Sequence, residues 1–563
     1  MKRTSRVLAI LLALAMLLSV TAFAAWDVYG GNANHNSVVS GAPTNANPSV
    51  TSIDLSNGGS GWDGIDNVPV METVNGTTYA YVLYDGYSSY GGQLAKINCS
   101  AATPYVVWRK QVSAAAGFQL STPYLDTTNR AIYIGASNAS VYNNVAISSP
   151  VALTAGTAGT VTIGGLSLLT AANRVSVPVY VGHTSVADRG TLTTEGTATI
   201  RLGGGTAVNL TLSTTQASSG TTYKIYEQAT YDADGNVNGY DYYYYINHSV
   251  TASSLTDATL SISVTLNGTG SITSVSMFAN KGAVTKVTGI DSTDASGVTL
   301  TSVVSSVNGQ INTPITRYGD YIYFGTWSGN SAMQYYQVKV SDSSFTTKTM
   351  TGNAGFYWAG AVKVGSYIYF GGDAGNLYYR RISKFDTTGG VVALTDKASD
   401  AGNVRSTIMT DGTNLYFTSQ GKYLWCYQPD ANGVPVYQWH IQLAGTSTST
   451  PTLVQNSDGT TSIYTGYYSG FSDGGVQVTT VSGSTQTIAT VASGFPVQCS
   501  ILYSNGYVYF NTNASGGAGY CYNAATGTQV WATTADTYAL GGMACDNGII
   551  VFGNDYDHLY VVK

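Results

Sequence analysis

The chain has 563 residues, with 24 Lys and Arg against 30 Asp and Glu and a formal net charge of −6. No basic run occurs, which excludes nucleic-acid binding by phosphate neutralisation. Charged residues make up only 10%, while Gly (65) and Tyr (44) abound, so the chain reads as sheets solvated by Ser, Thr and Asn rather than as disorder.

The first element is a targeting segment. Lys2, Arg3 and Arg6 precede an apolar run from Val7 to Val20, and Ala22 and Ala24 supply small residues at a cleavage site. Residues 1–24 are therefore expected to be a signal peptide. The run is too short for a stable spanning helix, and no later stretch suits one. No Cys follows the expected cut, so a lipid anchor is not supported. The mature protein is expected to be secreted, extracellular or held on the cell surface by non-covalent contacts.

A repeat dominates the remainder of the chain. Residues 315–325, 361–371, 408–417 and 501–510 each read strand, Gly-containing turn, strand, the signature of a hairpin. The turn residues Gly319, Gly365, Gly412, Gly459, Gly506 and Gly548 are 46, 47, 47, 47 and 42 residues apart. A four-stranded propeller blade takes about 40–50 residues. Two copies lie upstream, at residues 70–85 with a turn at Asn75-Gly76, and at 121–135 with a turn near Thr128-Asn129. The 190 residues between Asn129 and Gly319 exceed one period by about 143, so an extra domain must interrupt the second copy. The eight turns predict an all-β fold: an eight-bladed β-propeller. Its last blade has three strands before Lys563, and residues 49–55 are the expected closing strand.

Residues 138–280 have a different character. Segments 160–163, 175–181, 197–202 and 260–266 alternate as strands between Gly and Ser/Thr clusters, which predicts an inserted β-sandwich. Pro178 suggests an edge strand or a bulge. The expected organisation is a signal at 1–24, then the closing strand, blade one and the start of blade two at 25–137. The insert occupies 138–280, and the rest of blade two with blades three to eight 281–563.

The second half of one repeat, Tyr520 to Trp531 with Gly527 in its turn, resembles the blade motif of pyrroloquinoline-quinone-like (PQQ-like) propellers, where a strand runs into a Thr-Gly turn and ends on Trp. Degraded copies end on Trp108 and Trp439, and residues 385–390 keep the turn without the Trp. Residues 26–35 resemble the opening segment of the family's exported members. The resemblance implies that Trp108, Trp439 and Trp531 pack between blades as structural residues. It also implies, in the family's dehydrogenases, a quinone held by stacked Trp, Ca²⁺ and an adjacent-Cys ring. This chain has no adjacent Cys pair and only Glu72, Glu195 and Glu227 as glutamates. PQQ is therefore not supported and no cofactor is expected. The chain looks closer to the non-catalytic members.

The other constellations are weak. Asp232, Asp234 and Asn236 alternate as a Ca²⁺ loop would, without its terminal Glu; a hairpin turn is the favoured reading. Tyr240 and the run from Tyr242 to Tyr245 place Tyr242 and Tyr244 on one strand face. Tyr240, Tyr242 and Tyr244 are candidates for stacking on a sugar or a protein, against a plain aromatic core. Asp85, Asp373 and Asp555 follow second strands and are expected to be solvated turn carboxylates. The five His have no ligand spacing. The five Cys are odd in number, so at least one is unpaired. No catalytic motif appears, and the chain is not expected to be an enzyme. The reading that fits best is a binding or scaffold protein with a protein or glycan partner at the cell exterior. A quinone-dependent or carbohydrate-active enzyme and a surface-layer or matrix component remain the alternatives.

Overall fold

The computed structural model describes residues 25–563 apart from 57–63, 87–90, 113–119, 137–140, 146, 148, 167, 169–171, 255, 279–280 and 329–331. The expected signal peptide lies outside the described residues. Contacts divide the chain into two compact units. One holds the described residues within Met1–Ser137, Ala283–Ser305 and Ile311–Lys563, the other Asn138–Gly282 with Ser306–Gln310. Among the described residues, helix is confined to three-residue 3-10 turns, and no helix is long and apolar enough to cross a membrane.

Among the described residues the first unit is all-β and contains eight mainly antiparallel sheets, numbered in chain order. Sheet one runs Val70–Val74, Thr77–Gly86, Gly91–Asn98 and Tyr105–Gln111, each strand pairing with the next. Sheet two has Tyr124–Asp126, Ala131–Ala136, Lys281–Thr288 and Thr299–Asn308, so the second unit leaves the chain between its second and third strands. Sheets three to six start at Thr316–Tyr318, Val362–Val364, Met409–Thr410 and Thr452–Gln455, and each is a four-stranded meander. Sheet seven (Leu502–Ser504, Tyr507–Asn511, Gly519–Asn523, Gln529–Ala532) gains Val38–Val39 as a parallel fifth strand. Sheet eight has Ala544–Asp546, Ile549–Gly553 and His558–Val562, with Val50–Asp54 antiparallel to the last.

Local sequence explains the hairpins. Asn75-Gly76, Asn505-Gly506 and Asn547-Gly548 all carry positive φ at both residues (51° and 79°, 49° and 90°, 48° and 77°). That is the type I′ turn, whose twist matches the strands it joins and which favours Asn-Gly. The second strands are apolar without alternation: Tyr321–Gly325 and Tyr367–Gly372 are buried beyond their first residue. Continuous apolar runs of this length belong to strands covered on both faces. Between sheets three and four, Tyr335 and Phe370 stack with centroids 3.7 Å apart.

The scarce charges sit at joints between sheets. Glu72 of sheet one pairs with Arg130 of sheet two, and Asp126 of sheet two with Arg317 of sheet three. Asp373, after the second strand of sheet four, pairs with Arg405 on the way into sheet five. Trp108 is buried in an apolar cluster that sheets one and two share, and Trp531 in one that includes sheets seven, eight and one. Half-buried Trp439 packs on the cluster of sheets five and six. Gly527 holds φ at 66°, and a Cβ there would meet the Val491 carbonyl at 3.0 Å.

All five cysteines are free and buried. Burial pushes the thiols of Cys99, Cys426, Cys499, Cys521 and Cys545 up to about 12. Thiolate is the reactive form, so the folded protein is expected to show almost no reaction with a disulfide reagent at pH 8. All five thiols should react once denaturant is added, and a stoichiometric count of released chromophore checks this.

The second unit has two sheets around one apolar core. One contains Ala172–Ser185 paired with Val237–Thr251; the other centres on Ala258–Leu266 between Gly159–Leu166 and Gly196–Leu202. Pro178 does not mark an edge, because its strand is interior. On one side the strand pairs with Val275–Phe278 through Arg174 to Ser176 and with Gly270–Ile272 through Val179 and Tyr180. Pro178 falls in the gap between these two partners, where its missing N–H breaks no ladder, and its carbonyl accepts from the Thr273 amide at 3.2 Å. The bulge lies two residues on, between Tyr180 and Gly182.

Candidate binding site

The site is built on the first strands of the sheets and on the segment that precedes them all. Residues 26–43 form a strap that visits the sheets in nearly their chain order. The Trp26 carbonyl accepts from Met71 of sheet one at 2.8 Å, and the Asp27 carbonyl from Leu125 of sheet two at 2.8 Å. The Ala33 carbonyl takes the Tyr318 hydroxyl of sheet three at 2.8 Å. His35 Nε2 lies 2.8 Å from the carbonyl of Ala361, just before sheet four. The Asn34 carbonyl accepts from Thr410 of sheet five at 3.1 Å. Asn36 bonds both backbone groups of Leu453 in sheet six, at 2.9 and 3.0 Å. Val38–Val39 then joins sheet seven, and the Pro43 carbonyl accepts from Trp531 Nε1 at 3.0 Å.

His35 is fully buried, and its Nδ1 lies 2.8 Å from the Tyr29 carbonyl. Burial disfavours its charge more than the two carbonyls favour it, so its pKa lies below the ordinary value. Burial raises the Asp27 carboxyl to about 6. A carboxyl whose folded pKa exceeds its unfolded one costs stability as pH rises: its contribution is complete below about pH 4 and lost through about pH 6. Asp27→Asn is therefore expected to add about 2 kcal/mol at pH 8 and nothing at pH 4, read from denaturant unfolding at the two values.

Above Tyr29 of the strap lies a cavity of about 40 Å³, room for two or three waters. Its lining comes from segments leading into the first strands of seven sheets: Asp66 to Val68, Leu120 and Thr122, Pro314, Trp358, Thr448, Gln498 and Cys499, and Leu540 to Gly542. The first strands therefore converge on one centre. Trp358 takes a left-handed backbone, φ 55°. For a bulky residue this costs on the order of 1–3 kcal/mol, and such strain clusters at functional sites. Its carbonyl holds the turn by accepting from Gly360 at 2.9 Å and from the Thr407 hydroxyl at 3.1 Å.

Trp358 continues outward into a half-buried aromatic corner. Tyr357 meets it at 4.7 Å and 65°, and meets Trp327 at 5.1 Å and 79°. The Arg405 guanidinium lies 4.7 Å over the Tyr357 ring. Arg405 also forks onto Asp373, Nε to Oδ1 at 2.8 Å and Nη2 to Oδ2 at 2.9 Å, while Trp327 Nε1 donates to Oδ2 at 3.1 Å. Burial and the Coulomb effect of Arg405, Asp66 and Asp373 leave the Tyr357 hydroxyl at about 12.

No family model matches the chain, and no curated protein matches it in sequence. Solved structures do. BamB from Moraxella catarrhalis is 13% identical with a TM-score of 0.33, over 46% of this chain and 85% of that one. A europium-containing methanol dehydrogenase is 8% identical with a TM-score of 0.44, over 94% of this chain and 89% of its own. Sqt1 from Saccharomyces cerevisiae is 10% identical with a TM-score of 0.34, over 50% and 78%.

Among the described residues, the cavity lining offers no Lys or Arg, and Asp66 is its one charged group. Among the described residues too, no three His, Cys, Asp or Glu gather as a metal site.

The sequence candidates fall elsewhere. Tyr242 and Tyr244 are 4% and 0% exposed, in the core of the second unit. Tyr240 is half-buried with Arg189 4.5 Å over its ring. None of the three offers an open stacking face. The opposite strand face is the outer one: Tyr245 is 44% exposed, stacks on Tyr243 at 5.5 Å and 20°, and meets Tyr226 at 5.9 Å. The run is Tyr on both faces, so alternation alone does not say which side the core takes. Asp232 Oδ1 accepts from the amides of Asp234 (3.0 Å) and Asn236 (2.8 Å), closing an exposed turn. Asp85, Asp373 and Asp555 are buried rather than solvated; for Asp373 the reason is its fork with Arg405, which lies beyond local sequence. Trp327, Tyr357, Trp358 and Arg405 escaped the sequence reading, and the dipeptide Tyr357-Trp358 among Gly and Ala was their only local signal.

Proposed function

We propose that this chain is an exported, eight-bladed β-propeller of the PQQ-like repeat type, with a β-sandwich inserted into its second blade, and that it acts by binding a protein or glycan outside the cell. Eight sheets in the first unit, seven of them with first strands that open on a common centre, support the blade count, and the two sheets around one core support the insert. Val50–Asp54 closes the last blade in this reading. The observation that carries the binding role is the corner of Trp327, Tyr357 and Trp358 with its fixed Arg405–Asp373 fork. Aromatic rings that reach the surface beside a rigid donor and acceptor pair are what a recognition site needs. Capture of extracellular proteins and a glycan array, each run with the intact chain and with Trp327→Ala, test it. Ligand retained by the intact chain and lost by the variant supports the reading. Turnover in a dye-linked dehydrogenase assay after addition of the quinone and Ca²⁺ overturns it.

A further inference from the structure

Two aromatic groups that reach the surface differ in what they offer. In the second unit Tyr243 and Tyr245 stand nearly parallel, so each ring covers a face of the other. At the corner, Tyr357 meets Trp327 and Trp358 close to edge-on rather than in a parallel stack, and the Arg405 guanidinium lies 6.0 Å over one face of the Trp327 ring. The polar groups beside them are fixed and balanced. A carboxylate has about four acceptor positions and a guanidinium five N–H donors. Asp373 uses three of its positions on Arg405 and Trp327, and Arg405 spends two donors on Asp373. One acceptor and several donors remain side by side, and the pair's charges cancel. A charged ligand would gain from one partner and lose to the other. A pyranose meets every condition: its ring has an apolar C–H face for an indole, and its vicinal hydroxyls both donate and accept. It is also neutral. The cavity beneath, about 40 Å³, is too small for a sugar ring, which places the sugar on the rim.

We infer that the Trp327–Tyr357–Trp358 corner binds a neutral saccharide, its ring stacked on an indole and a vicinal hydroxyl pair on the Arg405–Asp373 fork. This rests on the binding reading above and names its ligand. Neutral oligosaccharides of the gluco-, xylo- and chito- series are titrated into the intact protein, followed by tryptophan emission and calorimetry. One series is expected to shift the emission and to bind at least tenfold more weakly to Trp327→Ala and to Arg405→Lys, both still unfolding cooperatively and folded at the titration temperature. The lysine keeps the charge and loses the fork, so a weaker titration there assigns the fork rather than its charge. No binding by any series at millimolar concentration, or equal binding by both variants, overturns the inference. If no sugar binds but the intact chain still retains a protein that Trp327→Ala loses, the saccharide is wrong and the binding role of the corner stands. If neither changes, both fail.

Discussion

Deletion of residues 25–43 is expected to abolish cooperative unfolding of the first unit. The strap gives hydrogen bonds to seven sheets, and its removal leaves their first strands with unmatched backbone groups around the cavity. Trp26 alone is nearly fully buried, with its carbonyl on Met71. Trp26→Ala should cost about 3–5 kcal/mol, as for other large-to-small changes of a buried aromatic. The second unit has an apolar core drawn from its own residues, and should keep its transition in both variants. Calorimetry on the intact chain and the two variants separates the transitions. A deletion variant that melts like the parent would show the strap to be dispensable.

Glu72→Gln should have the next largest effect. Glu72 is buried and accepts from both terminal nitrogens of Arg130, at 2.6 and 2.7 Å, and from the Tyr81 hydroxyl at 2.8 Å. Removing one partner of a buried pair costs about 3–5 kcal/mol, because the other charge stays behind. Arg130 is partly exposed and keeps Asp291, which puts the expectation near the lower end, about 3 kcal/mol. Glu72→Gln combined with Arg130→Met should recover part of the loss, and a double-mutant cycle by urea unfolding measures the coupling.

What the sequence disclosed and what it hid divide along physical lines. The hairpins were legible because a type I′ turn demands its own residues: Asn75-Gly76, Asn505-Gly506 and Asn547-Gly548 announce themselves locally. The 47-residue spacing was legible because each sheet repeats the same hydrophobic run. The strap past His35 was not, since it makes one or two bonds to each sheet and needs no periodic pattern to do so. Val38–Val39 is a strand only because Tyr503 and Ser504 lie beside it. Pro178 misled because a partner change inside a sheet mimics an edge. The aromatic corner was hidden because its members come from three loops, and Arg405 meets Asp373 only once sheets four and five are side by side. Burial of Tyr242 and Tyr244 was undecidable from a run that is Tyr on both faces.

The seam in sheet eight has a consequence for how the protein comes into being. Val50 pairs with Val562, and Ser49 and Lys563 exchange backbone bonds at 2.9 Å. Val50–Asp54 cannot find its partner until His558–Val562, far along the chain, has been made. While the chain grows, the strap and Val50–Asp54 wait with unpaired edges, although they are the first described segments to emerge. Pairing the two strands is therefore a closure of very high contact order, slow by nature. During that wait the unpaired strand is the part most open to capture by a chaperone or by a second copy of itself.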